Sequence, residues 1–246
     1  MLSRIRRAQL IWPTIFTIVG LIVLVALGNW QWQRMHWKEG LLAQIAERTV
    51  ADPAPLADVL SRVQSSSADR EYTRVFVKGV FDHAHEKHVY ASGREGAGWL
   101  IFTPLLDASG VRVAWVNRGF VPHRLKAPSS RPGSQPKGSP IEVTGLLRLN
   151  PSRSFFAPAN DPDANIWYAR DIAEMHRSAY PETDESFVPD WYVDADRSGE
   201  GWPRGGTTNL KLSNRHLSYA LTWWGLAATL LGVFAVFAVQ RFRAAR

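Results

Sequence analysis

Two long uncharged apolar runs, one near each end of the chain, enclose a segment in which hydrophobic and polar positions alternate over short distances. Leu10–Gly28 covers 19 residues, and Leu217–Val239 covers 23. A helix rises about 1.5 Å per residue, so each run is long enough to cross a hydrocarbon core of roughly 30 Å. The pattern predicts transmembrane helices at residues 10–28 and 217–239, short tails at 1–9 and 240–246, and a domain at 29–216.

The enclosed segment has the period of β-strands, with Val, Phe and Tyr alternating with polar residues. Strands are predicted at Tyr72–Phe81, His88–Ala91, Trp99–Leu105, Val111–Val116, Ile141–Leu149 and Phe187–Val193. These features predict an α+β domain with a mainly antiparallel sheet or partly closed barrel.

Turn and helix signals fill the spaces between these strands. Asp107–Gly110 predicts a hairpin turn, and Asp171 is a candidate N-cap for a short helix that runs to Arg177. A further short helix is predicted within Ala51–Arg62. The helical spacing of aromatic and apolar residues after Gly28 predicts that the first helix continues past the membrane to about Glu47.

The distribution of charge along the chain predicts a membrane topology and does not indicate a nucleic-acid-binding surface. The chain has 29 Lys and Arg against 22 Asp and Glu. Six of the basic residues lie in the two tails: Arg4, Arg6, Arg7, Arg241, Arg243 and Arg246. Without them the domain has 23 basic and 22 acidic residues, which argues against a nucleic-acid partner. Arginine-rich tails favour two cytoplasmic termini and a domain on the other side of the bilayer.

Cysteine is absent from the chain, and bulky residues follow the first apolar run. The lack of cysteine excludes disulfides, thiolate metal sites and iron–sulfur clusters. No A-x-A cleavage pattern follows the first run, so we interpret it as a retained anchor rather than a signal peptide. The lipid bilayer is therefore an expected partner.

His216 is the candidate ligand for a metal, because it stands where the second apolar run begins. Ser213 or Asn214 could cap that helix, and a helix N-terminus favours the neutral imidazole that a metal requires. Small and aromatic residues follow at helical intervals and could admit and stack on a flat ring: Tyr219, Ala220, Trp223, Trp224 and Ala227. Arg215 and Arg34 could meet carboxylates at the same level.

The same residues are also compatible with plain anchoring at the membrane interface, where Trp, Tyr and polar His side chains are common. Physical reasoning alone leaves both interpretations open. Ala228-x-x-x-Gly232 offers a close-packing face, either to the first helix or to a partner helix.

A second histidine group, His83, His85 and His88, lies in strand-and-turn sequence. It could hold a divalent metal loosely, but a solvated polar turn is the favoured interpretation. The chain contains neither a G-x-S-x-G nor an H-E-x-x-H motif. A membrane enzyme that uses His123, Asp161 or this group as acid and base is therefore a weak alternative.

Five segments carry a resemblance to one known family. In chain order they are Gly28-Asn29-Trp30-Gln31-Trp32-Gln33-Arg34-Met35-His36-Trp37-Lys38, Gly98–Pro104, Val116-Asn117-Arg118-Gly119-Phe120-Val121-Pro122, Asn160-Asp161-Pro162 with Asn165-Ile166-Trp167-Tyr168 and Asp171, and Asn214-Arg215-His216-Leu217-Ser218-Tyr219-Ala220-Leu221-Thr222-Trp223-Trp224. They resemble motifs of the surfeit locus protein 1 family of cytochrome c oxidase assembly factors.

This resemblance implies a non-catalytic assembly factor in a bacterial inner membrane, with a periplasmic domain between its two spans. The family's role would be to bind haem a and help insert it into oxidase subunit I, alongside other assembly factors. His216 occupies the place of the histidine proposed as haem ligand. Tyr219, Trp223 and Trp224 would then line the ring, and Arg215 and Arg34 would hold the propionates. The alternative is a haem-free scaffold that stabilises subunit I.

The third of these segments also carries a structural expectation. Asn117, Arg118 and Gly119 are expected to form a tight turn at the end of a strand. Arg118 is expected to pair with Asp161 or Asp171.

Overall fold

The computed structural model describes residues 10–62, 67–93, 96–135, 138–151, 155–182, 189–197, 199–210 and 213–244. The chain divides into a helical unit, formed by Met1–Gln44 with Lys211–Arg246, and a sheet unit, Ile45–Leu210. The helices are α1 (Ile11–Val50), α2 (Leu56–Ser61), α3 (Ser67–Arg70), α4 (Ile172–Ala179) and α5 (His216–Ala244). The strands are β1 (Ala54–Pro55), β2 (Arg74–Phe81), β3 (Lys87–Gly93), β4 (Gly96–Leu106), β5 (Arg112–Pro122), β6 (Ile141–Leu149) and β7 (Trp191–Ala195).

The helical unit contains the two predicted spans. Helices α1 and α5 are both long and apolar enough to cross a membrane, and most of their apolar stretches are exposed, as lipid-facing surfaces are. Helix α1 continues well past Gly28, as predicted. The predicted tail at residues 1–9 lies outside the described residues, whereas residues 240–244 of the other predicted tail belong to α5.

Buried positions lie along one side of each helix of the helical unit. On α1 they are Thr17, Gly28 and Met35, spaced 11 and 7 residues apart, and on α5 they are Ala220 and Ala227, 7 residues apart. These spacings are close to whole numbers of 3.6-residue turns, so they keep one seam of a helix directed inward. The two helices therefore present one buried seam each, and their remaining surface is exposed.

The sheet unit is built on seven strands in the order β1-β2-β6-β7-β5-β4-β3. All neighbouring pairs are antiparallel except β1 with β2 and β5 with β7. The ends of β2 and β4 also pair, through Val80 with Leu106 and Phe81 with Leu105. This confirms the predicted α+β, mainly antiparallel architecture; the sheet is not a closed barrel.

Strand bounds agree with the sequence pattern for most of the sheet. Strand β6 has the predicted limits, and the turn after β4 is held by the Asp107 side chain, which accepts hydrogen bonds from the backbone N–H groups of Ser109 and Val111. The last strand is Trp191–Ala195, later than predicted. The start of the prediction, Phe187, lies outside the described residues.

The expected turn at Asn117–Gly119 is wrong, because these residues lie inside β5. The pairing of β5 with β4 shifts register at this point, as in a β-bulge. Gly119 has φ of +120°, and a Cβ there would lie 2.0 Å from the carbonyl oxygen of Arg204. The Asn117 side chain accepts a hydrogen bond from the Gly119 N–H and donates one to Asp194. The glycine thus carries a kink within the strand rather than its end.

Helices cover both faces of the sheet. Leu56 and Val59 of α2 pack into a core of small aliphatic side chains on one face. Ile172 and Met175 of α4 pack on the other face, which is richer in aromatic residues. Asp171 caps α4 by accepting a hydrogen bond from the Glu174 N–H, as predicted.

Candidate functional site

His216 lies at the first turn of α5, in the helical unit. Its Nδ1 lies 2.7 Å from the Oε1 of Gln31 on α1. An amide oxygen only accepts, so Nδ1 carries a proton, and the neutral form of this ring has its lone pair on Nε2. Nε2 takes part in no hydrogen bond with any residue that the structure describes, and it is not among the buried polar atoms. His216 is half-buried, with Nδ1 held by Gln31 and Nε2 without a hydrogen-bond partner among the described residues.

The predicted neighbours of His216 do not share one environment. Tyr219 is 55% exposed. Trp224 is half-buried, with its ring centroid 5.9 Å from that of Trp32 on α1. Trp223 is also half-buried. Trp224 also approaches the backbone of Gly28, the first residue of the first of the five segments. A Cβ at position 28 would lie 2.3 Å from the Trp224 indole nitrogen, so only glycine fits there.

The two predicted basic residues lie at the surface of the same unit. The Arg34 guanidinium lies 3.9 Å from the centre of the Trp37 ring, which holds it as a cation–π pair. Arg215 is exposed. Both remain accessible to an anionic group.

The small residues expected to admit a flat ring do not do so. Ala220 is completely buried and Ala227 is 6% exposed, since both lie on the buried seam of α5. Ala228 is exposed and Gly232 has no neighbour within 4 Å, so this pair does not form the packing face to α1. The buried small residues of α5 are therefore Ala220 and Ala227 rather than Ala228 and Gly232, and a partner helix at Ala228 and Gly232 stays a prediction.

Of the two expected caps for α5, Ser213 and Asn214, Asn214 is wrong, whereas Ser213 stays a prediction. The side-chain oxygen of Asn214 is buried and has no hydrogen-bond partner in the described part of the chain. The first helical contact is made instead by the carbonyl of Arg215, which accepts from the N–H of Tyr219.

The second histidine group lies in the sheet unit, and two of its three members contact carboxylates. His85 Nδ1 lies 2.6 Å from Asp82, and His88 Nε2 lies 2.9 Å from Glu86. Within the described ranges, no set of three or more His, Asp or Glu side chains is arranged to hold a metal ion. His88 is buried, so the favoured interpretation of a solvated turn is wrong for this residue.

Glu86 is the centre of a buried charge cluster that comprises Glu86, His88, Arg118 and Arg131. Arg131 is 3% exposed and donates to both carboxylate oxygens of Glu86, and Arg118 lies 3.8 Å from the same carboxylate. Burial alone would raise the pKa of Glu86, but hydrogen bonds from His88 and Arg131 outweigh it and lower the pKa below its ordinary value. Burial lowers the pKa of Arg118 to about 10.

The expected pairing of Arg118 with Asp161 or Asp171 is therefore wrong. Arg118 reaches Glu86, and Asp171 caps α4 instead. Sequence reasoning did not single out Glu86 or Arg131 as partners, because they lie 45 positions apart and Arg131 belongs to a Pro- and Ser-rich loop. Gln31 was also missed as a partner of His216, although it lies within the first of the five motifs.

The fold and site define a class of protein: a membrane protein in which two spanning helices enclose a mainly antiparallel sheet domain, with a surface histidine at the start of the second helix. The model of the SURF1 family matches residues 18–228. The chain belongs to the SURF1 family, whose members are cytochrome c oxidase assembly factors.

Three vertebrate proteins are similar to this chain. Surfeit locus protein 1 of Homo sapiens is 34% identical over 227 residues, which cover 84% of this chain and 71% of that protein. Surfeit locus protein 1 of Takifugu rubripes is 34% identical over 233 residues, covering 86% and 91% respectively. The Xenopus tropicalis protein of the same name is 32% identical over 225 residues, covering 84% and 69%.

Proposed function

We propose that this assembly factor binds haem a through His216 and helps its insertion into subunit I of cytochrome c oxidase. The observation that carries the proposal is the hydrogen bond from His216 Nδ1 to Gln31. In the neutral ring it selects the tautomer whose lone pair is on Nε2, and histidine is a common axial ligand of haem iron. The donor chemistry of the site therefore fits the group.

The residues around His216 would each have a distinct task. Tyr219 is the exposed aromatic side chain one turn along α5, suited to contact with the face of a ring. Trp224 with Trp32 would contribute an apolar edge. Arg34 and Arg215, both accessible cations, would pair with the propionates. Haem, when bound, would supply the iron that His216 ligates and is the cargo rather than a reactant.

A ligand at the end of a helix suits delivery to a second protein. A single axial histidine and a partly open surface hold the cargo less firmly than an enclosed pocket, which favours transfer to a tighter site. We further propose that both termini are cytoplasmic and that the sheet unit faces the periplasm of a bacterial inner membrane. The arginines of the two tails support this orientation.

The test compares four full-length proteins purified from cells that make haem a: wild type, His216→Ala, Gln31→Ala and His36→Ala. Bound haem is measured from the visible spectrum, and oxidase activity is measured in the same cells. His216→Ala is expected to lose its bound haem. Gln31→Ala is expected to bind about 10–100-fold more weakly, because the orienting partner of the ligand is gone.

His36→Ala is the matched control, because His36 is an exposed histidine of the same helical unit that pairs with Glu39. It should leave haem content unchanged. Normal haem content in His216→Ala would reject the ligand role. A wild-type protein that is colourless yet supports full oxidase assembly would favour the haem-free scaffold.

A further inference from the structure

The sheet unit contains a cavity of about 610 Å³ where β5 and β7 begin, bordered by α2 and by His176 of α4. Its walls are mainly aliphatic and aromatic and include Leu56, Leu60, Val77, Val113 and Trp191. The volume lies within the roughly 300–1,000 Å³ that small-molecule sites occupy. Its lining residues belong to the sheet unit and do not include His216.

One side chain of the cavity wall, His176 of α4, is 2% exposed and polar. Its Nδ1 accepts a hydrogen bond from the indole N–H of Trp115 at 3.3 Å. In a neutral imidazole the proton must then be on Nε2. Nε2 is buried, and it has no partner among the residues that the structure describes. A buried donor without an acceptor is uncommon in folded proteins.

Two arginines lie near His176, Arg112 of β5 and the exposed Arg177 of α4. Burial, together with the charges of Arg112 and Arg177, lowers the pKa of His176 to about 4, so the ring is neutral at physiological pH. Arg112 also lines the cavity. Asp190 is the one carboxylate in the described wall, and it is exposed at the rim. Arg112, which also contacts the Tyr180 ring at 4.0 Å, places a cation near His176, whereas Asp190 places an anion at the exposed rim.

We propose that this cavity binds a long-chain monocarboxylic acid. The hydrocarbon chain lies against the aliphatic wall, and the carboxylate accepts the Nε2–H of His176 near Arg112. The hydrocarbon chain matches the apolar lining, and the carboxylate supplies the acceptor that His176 Nε2 lacks among the described residues. A free fatty acid from the surrounding bilayer has this chemistry.

The test uses the full chain in lipid nanodiscs and palmitate that carries a diazirine near its methyl end. After irradiation, mass spectrometry maps the adducts. Labelling is expected on cavity residues, and an excess of unlabelled palmitate is expected to reduce it at least tenfold. Methyl palmitate, which has no charged carboxylate, is expected to compete much less. Absence of cavity adducts, or equal competition by the methyl ester, would overturn the proposal.

Substitutions distinguish the loss of the His176 N–H donor from a general loss of folding. His176→Gln keeps an N–H donor and is expected to retain most of the labelling, whereas His176→Leu is expected to lose it. Ala57→Trp should block the cavity from an exposed position, so it does not depend on core repacking. Ala108→Trp, at the exposed hairpin tip, is the matched control and should label like wild type. Equal labelling of Ala57→Trp and Ala108→Trp would exclude this cavity as the site.

Discussion

Replacing Arg131 by Met removes the main cationic partner of Glu86 while keeping a side chain of similar length. Glu86 is 6% exposed, and its two oxygens accept hydrogen bonds from Arg131 and His88. Removing one partner of a buried ion pair typically costs about 3–5 kcal/mol, because the remaining charge is left in a poorly solvated place. Since Arg118 and His88 remain beside Glu86, we expect the lower end, about 3 kcal/mol.

The measurement is a urea titration of the full chain in detergent micelles, followed by tryptophan fluorescence. With an m-value of about 2 kcal/mol/M, a loss of about 3 kcal/mol lowers the midpoint by about 1.5 M. Lys78→Met is the matched control. Lys78 pairs with Glu142 at 3.3 Å, but their side chains are 71% and 50% exposed, so the expected loss is below about 1 kcal/mol.

A double variant, Glu86→Gln with Arg131→Met, isolates the effect of the unpaired charge. It should recover part of the stability that Arg131→Met loses, because no carboxylate is then buried without its partner. If Arg131→Met costs no more than Lys78→Met, the reasoning is refuted. The cluster would then be mostly hydrated, and it would not organise the loop that contains Arg131.

Three further predictions concern single positions. Gly119→Ala should destabilise the sheet unit by about 1–3 kcal/mol in the same titration. Residue 119 has a positive φ, and an added Cβ would collide with the Arg204 carbonyl. A variant as stable as wild type would exclude this close approach. Asp171→Ala should cost about 1 kcal/mol by removing the bond from the Glu174 N–H, and Asp171→Asn should cost less. Because folding lowers the pKa of Glu86 below its ordinary value of 4.5, the ionised carboxylate contributes its full stabilisation to the folded state above pH 4.5. This stabilisation is lost as the pH falls through the lower pKa of the folded state. Glu86→Gln should therefore flatten the acid limb of a stability–pH curve; an unchanged slope would contradict this.

The sequence pattern is sufficient to predict an element where the spacing of hydrophobic residues directly indicates which side of that element is buried. The limits of β6 follow from alternating residues that have one face in the core. The cap at Asp171 follows from local chemistry within one turn, and the two spans follow from length and lack of charge. In each case the deciding contacts lie within a few positions of one another.

The geometry of the candidate site is harder to predict from the sequence, because it depends on contacts between residues that are far apart in the chain. His216 was chosen from its position, but its tautomer depends on Gln31, 185 positions away. Arg118 was assigned to the wrong carboxylates because any acidic residue could pair with it until the sheet register was known. The bulge at Gly119 likewise depends on a backbone segment near Arg204.

The sequence by itself determined the membrane architecture, the class of the enclosed domain and the family, because hydrophobic length, strand period and ordered motifs are properties of the linear chain. Only the tertiary structure decided which faces of α1 and α5 are buried, which carboxylate Arg118 meets and that His176 keeps an unpartnered donor beside an apolar cavity. The physical reason is that burial and hydrogen bonding between distant segments are set by packing, which local sequence constrains only in part.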